Sequence, residues 1–185
     1  AKVYFGDLKL ENKKEGAHYK RLYVVSHGKE VKKPIELSFS HAAVIVQAFN
    51  REEDAIKSME KTGHYSKEMH ERIFDRLHKA KIWLEKHAPD EMKFEVQQKV
   101  PKNLKLTEKE KKALHEVAKL LKENDYDEKT LFNEFYDICK KLNLKNTEFF
   151  EAAYKVLLNK EKGPKLAPFI LALGKEKVIK LFESV

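Results

Sequence analysis

Apolar positions recur at three- and four-residue steps along most of the chain. From Ser66 to about His87, Met69, Ile73, Leu77, Ala80 and Leu84 share one stripe while lysine and glutamate fill the other faces, which predicts a long amphipathic helix closed by Pro89. Thr107 with Glu110 three residues on has the form of a capping box, and Ala113, Leu114, Val117, Leu120 and Leu121 follow on one stripe to about Lys122. Asp127 can cap a second helix that carries Leu131, Phe132, Phe135, Ile138, Cys139 and Leu142. Thr147 can cap a third, over residues 149–158, apolar on nearly every side and therefore central. Two short amphipathic pieces, 166–173 and 175–182, are broken at Gly174.

The first third of the chain is less regular. Val3-Tyr4-Phe5 before Gly6-Asp7 reads as a short strand and turn, and residues 13–25 as a helix ending before His27-Gly28. Proline keeps Lys32-Lys33-Pro34 extended or turning, and Ser38 or Ser40 then offers a cap for the apolar run from Ala42 to Phe49. Its β-branched residues would also suit a strand, and only its length favours a helix. Residues 52–61 read as helical up to Gly63, and 94–101 alternate as an extended linker. Two units follow, 1–100 and 101–185, with the second an all-α bundle of about five helices.

Composition narrows this further. Six glycines and five prolines in 185 residues supply too few turns for an all-β domain, so the fold class is all-α, a helical bundle with room for a short N-terminal strand. No apolar run approaches the roughly 20 residues a membrane span needs, and Ala1-Lys2-Val3-Tyr4 lacks signal-peptide character. With a single cysteine, Cys139, a disulfide framework is excluded, and a cytoplasmic location without membrane partners is the expectation.

A net charge of +8 makes a polyanionic partner plausible. Only four basic residues are arginine, so the charge is mostly lysine, suited to phosphate more than to forked base recognition. Residues 155–180 hold seven lysines against Glu161 and Glu176. Charge alone fits a solvated surface as well as an RNA partner.

The motifs of most enzymes are missing. No Walker or dinucleotide pattern can be built from the isolated glycines, and Ser26-His27-Gly28 and Gly63-His64-Tyr65 read as turns. His70 and His78 stand too far apart on one helix to share a metal, so no metal site is expected. Cys139 falls on an apolar stripe and reads as core. Trp83 could stack on a base, yet a tryptophan on such a helix is more often a packing anchor.

One stretch resembles a known family. Ala153-Tyr154-Lys155-Val156-Leu157-Leu158-Asn159-Lys160-Glu161-Lys162-Gly163-Pro164-Lys165-Leu166, with Phe169-Ile170-Leu171-Ala172-Leu173-Gly174-Lys175-Glu176, is similar to the C-terminal end of class I lysyl-tRNA synthetases. Val3-Tyr4-Phe5-Gly6, Lys61-Thr62-Gly63-His64, the segment from Ala80 to Pro89 and Phe94-Glu95-Val96-Gln97 resemble that family in the same order. A weaker likeness runs to glutamyl-tRNA synthetases.

The resemblance implies a multi-helix anticodon-binding cage, with residues 1–100 as a connecting, stem-contact unit and 101–185 as the anticodon-binding unit. It implies a lysine tRNA and the enzyme's N-terminal catalytic domain as partners. His-Ile-Gly-His-like and Lys-Met-Ser-Lys-Ser-like motifs are absent, so the chain is not expected to activate lysine. ATP and magnesium would belong to that catalytic domain, with no cofactor in this chain. Carried over by position, Gly163, Pro164, Lys165 and Leu166 are the candidate anticodon-binding residues. Lys160, Lys162 and Lys175 are the candidate phosphate contacts, with Lys165 able to serve there too. Asn159 stands where the resemblance leads one to expect glycine. A helical docking module without autonomous RNA binding is the other reading, and an independent enzyme finds no nucleophile–base pair, metal set or cofactor motif.

Overall fold

Ser38 opens the first described helix: its hydroxyl accepts from the His41 N–H at 3.2 Å. The computed structural model describes residues 35–185, so the expected N-terminal strand, the 13–25 helix and Ser26-His27-Gly28 lie outside the described residues. Among those described are eight α-helices and no strand. They are α1 (Phe39–Ala48), α2 (Glu52–Lys61), α3 (His70–Lys86), α4 (Glu108–Glu123), α5 (Glu128–Leu142), α6 (Asn146–Leu158), α7 (Leu166–Leu173) and α8 (Lys175–Phe182). The ambiguous apolar run is helical because it buries Ala42, Ala43, Ile45 and Ala48 on one side.

Expected caps hold at two further helices and move at another. Thr107 and Glu110 close a reciprocal box on α4, the Thr107 N–H reaching the Glu110 carboxylate at 2.6 Å. Asp127 does the same for α5, accepting from the Thr130 N–H at 2.8 Å, and this bond holds its carboxyl below the usual range. Helix α6 begins earlier than Thr147 suggests, at Asn146, because Glu148 accepts the Lys145 N–H at 3.1 Å and satisfies a donor before Thr147 is reached. The long helix also divides: residues 67–69 form a 3₁₀ turn before α3 starts at His70.

Two apolar cores result. The smaller one joins α1, α2 and α3 through Ile45, Met59, Ile73 and Leu77, and takes in Ala172 of α7. In the larger, α4 to α8 pack around α6, which buries seven residues including Phe149, Tyr154 and Leu157. Cys139 is part of this core, its thiol pushed up by burial. Phe132, expected on the same stripe, is instead 43% exposed beside Tyr136.

The extended segment after α3 is pinned to its surroundings. Phe94 donates its N–H to the Gln47 side chain at 2.8 Å and sets its ring edge-on to Phe169, and Gln97 donates to the Leu157 carbonyl at 2.8 Å. That carbonyl lies in the last turn of α6, where no intrahelical donor remains. On the far side, the Ser58 hydroxyl of α2 donates to the Ala172 carbonyl at 2.6 Å inside the protein.

Candidate nucleic-acid interface

Helix α6 ends at Asn159 in the left-handed conformation, φ 53° and ψ 38°. Asparagine is the residue next to glycine in tolerance of that region, which explains how it serves at a position where glycine is common. Six residues then lead to α7, and three contacts fix them. The Lys160 ammonium donates to the carbonyls of Asp90, at 3.1 Å, and Lys93. Tyr154 donates its hydroxyl to the Pro164 carbonyl at 2.5 Å. Gly163 lies against the same ring: a Cβ there would stand 2.7 Å from Tyr154 Cδ1 and 2.8 Å from Leu158 Cδ1. Only a residue without a side chain permits this approach. Burial pushes the Tyr154 phenol up to about 12, so it stays a donor throughout the physiological range.

The fixed loop separates two clefts. One, of about 400 Å³, is bordered by Lys162, Gly163 and Pro164 on one side and by Phe39, Trp83 and Phe94 on the other. Trp83 is half-buried, its ring edge-on to Phe39 with centroids 5.7 Å apart, so it packs against α1 and faces the cleft as well. The second cleft, of about 580 Å³, is lined by Lys165 and Leu166 together with Lys129, Phe132, Phe150 and Tyr154. Both offer apolar rings near lysine, with one carboxylate each, Glu91 in the first and Glu128 in the second, and an unpaired base can stack in such surroundings.

The candidate residues have distinct positions in this frame. Gly163 and Pro164 stand on the rim of the first cleft, and Lys165 caps α7 beside the second. Leu166 lines the second cleft but is 3% exposed, so its side chain is mostly core. Lys162 is exposed at the first cleft. Lys160 is held by the two carbonyls, and Lys175 sits at the other end of α7, where it pairs with Asp125 at 2.7 Å. Tyr154, Trp83, Phe39 and Phe132 complete the lining of the two clefts. Trp83 and Tyr154 stand in the stretches that carry the resemblance, whereas Phe39 and Phe132 had no signal beyond aromatic identity, since nothing in helical periodicity tells a ring on a cleft wall from one in a core. Among the described residues no cluster of three or more metal-ligating side chains occurs.

The chain belongs to the anticodon binding domain family, which it matches over residues 75–181. It is similar to lysine–tRNA ligases from several organisms. One from Picrophilus torridus is 30% identical over the whole chain, one from Thermococcus kodakarensis 33% over 97% of it, and one from Borreliella burgdorferi 32% over 97%. The chain spans about a third of the length of these relatives, 35% in each. No described helix is long and apolar enough to cross a membrane.

Proposed function

We propose that this chain is the tRNA-binding, anticodon-reading part of a class I lysine–tRNA ligase. Residues 101–185 read the anticodon of a lysine tRNA and residues 1–100 contact its stem and connect to the catalytic part of the enzyme. Activation of lysine with ATP and magnesium belongs to that catalytic part, and the chain alone does not aminoacylate. The enzyme acts in the cytoplasm.

The observation that carries this reading is the loop at residues 160–165, held rigid by Tyr154 and Lys160 between two aromatic clefts. Unpaired bases splay to either side of it, stack on Trp83 or on Phe132 and Phe150, and are read by polar groups of residues 163–166. Lys162 and Lys165 hold phosphates beside the clefts, and Lys160 and Lys175 contribute charge from their tethered positions.

A second reading, docking on another protein without RNA binding of its own, is favoured by exposed Met92 and Ile82 on the first unit. Equilibrium binding to a lysine tRNA and to the same tRNA with its anticodon replaced, each at two salt concentrations, separates them. Tighter, salt-sensitive binding to the native anticodon is expected. Equal binding to both overturns the anticodon reading, and no binding supports the docking one.

A further inference from the structure

A third surface feature lies where the two cores meet, at the opposite end of α7 from the 163–166 loop. It is a groove of about 600 Å³ walled by α2 on one side and by the α7–α8 turn on the other. Five basic side chains line it, Arg51, Lys57, Lys61, Lys175 and Lys177, against Asp54 and Glu176. Two of the five are occupied: Arg51 grips Asp54 with two nitrogens at 2.8 and 3.0 Å, and Lys175 pairs with Asp125. Lys57, Lys61 and Lys177 have no hydrogen-bonded anion among the described residues. The carboxyls of Asp54 and Asp125 are held down first by their bonds to Arg51 and Lys175, and Lys57 and Lys61 add only smaller coulombic pulls.

The groove is built rather than incidental. Lys57 and Lys61 are four residues apart on one face of α2, and Ser58 between them anchors that helix to the Ala172 carbonyl of α7. The opposite wall turns at Gly174, whose φ of 85° only glycine adopts readily, and this brings Lys177 round to face α2. Lys177 is half-buried, and burial alone depresses its ammonium, so it has lost water without gaining an anion.

We propose that this groove holds the phosphodiester backbone of the same RNA whose bases enter the clefts, through Lys57, Lys61 and Lys177. The inference rests on the anticodon reading above and extends it from base recognition to the path of the strand. Its geometry fits: eight residues of α7 span roughly 12 Å, the length of three or four stacked nucleotides at about 3.4 Å each. The second cleft and the groove, at the two ends of α7, therefore lie within reach of one strand of the anticodon arm.

The test is a salt titration of the 185-residue chain and of K57Q/K61Q/K177Q against an unmodified lysine-tRNA transcript and its anticodon-replaced counterpart. K112Q, which changes an exposed lysine near the start of α4, is the control for charge elsewhere. The triple variant is expected to lower the slope of log affinity against log salt by about two, roughly 0.7 per lysine, equally for both transcripts, while K112Q leaves it unchanged. Unaltered melting temperatures would establish that folding is intact. An unchanged slope in the triple variant, with anticodon discrimination retained in the unsubstituted chain, overturns the groove alone. So does an equal loss per lysine in K112Q, which would mean a diffuse surface. Loss of discrimination in the unsubstituted chain overturns the anticodon reading instead, and no binding at all overturns both.

Discussion

Gly163 rests on the ring of Tyr154 with no space for a methyl group between them. The same tyrosine holds the carbonyl of the next residue, so ring and hydroxyl act on consecutive peptide units. Gly163→Ala must therefore displace a buried ring or lift the loop. A cost of about 1–3 kcal/mol is expected in urea unfolding, with reduced discrimination between anticodons in binding. A fully stable variant would mean that the loop relaxes freely.

Tyr154→Phe keeps the ring and removes the donor. The Pro164 carbonyl then relies on water, which predicts a loss of about 1 kcal/mol and a looser loop. If residues 163–166 read bases, this variant weakens the native tRNA more than the anticodon-replaced one, leaving the salt slope untouched. A uniform loss for both would put the loop outside base recognition.

Trp83 is the chain's only tryptophan and faces the first cleft. Stacking of a base there should quench its emission in proportion to the occupied fraction. Trp83→Leu should abolish the signal and weaken native tRNA by roughly 5- to 150-fold, the worth of about 1–3 kcal/mol per stacked base. Binding with unchanged emission would confine the RNA to the other side of the loop.

His41 and His64 stack with centroids 4.2 Å apart, and the Nε2 atom of His41 is buried without a partner. Burial first, and then the neighbouring imidazole, push His41 down to about 4; burial also lowers His64, against the opposing pull of Glu36. The unfolded chain therefore binds more protons between pH 6.5 and about 4. Stability is complete above that window and falls as pH drops through it, by on the order of 2 kcal/mol for this part-exposed group. His41→Phe preserves the stack and should flatten the difference in unfolding free energy between pH 7.5 and 5. An undiminished difference would assign the acid sensitivity elsewhere.

Asn159 gives the simplest stability test. Alanine at φ 53° should cost about 1 kcal/mol, while glycine should be neutral or stabilising by a few tenths. Equal melting temperatures for the two variants would show that the helix end has rearranged.

Helix-forming stripes were legible in the sequence wherever one face carried the core and the caps had side chains suited to it, as at Thr107 and Asp127. The break at Gly174 was legible too, because no other residue there reconciles two apolar stripes that meet end to end. What periodicity could not tell was which member of a stripe stays outside: Leu131 and Phe132 are consecutive on α5, yet Leu131 is fully buried and Phe132 is 43% exposed. The Lys145–Glu148 bond was hidden for a similar reason, since a backbone donor carries no residue signature. For the candidate interface, the resemblance pointed to the 163–166 loop, whereas Trp83 and Phe39, across the first cleft from it, come from α3 and α1, far away in the chain. Their meeting depends on how the two cores are joined.

That junction has a kinetic consequence. Gln97 and Phe94 fasten the connecting segment to α6 and α1, and Ser58 fastens α2 to α7, so the two cores are clamped from both sides of the seam. If these bonds keep the cleft walls at the same separation when a ligand enters, no binding energy goes into closing a hinge. Encounter, rather than rearrangement, then limits the association rate. For a chain of net charge +8 meeting a polyanion, that rate should be fast at low ionic strength and fall steeply as counterions screen the approach.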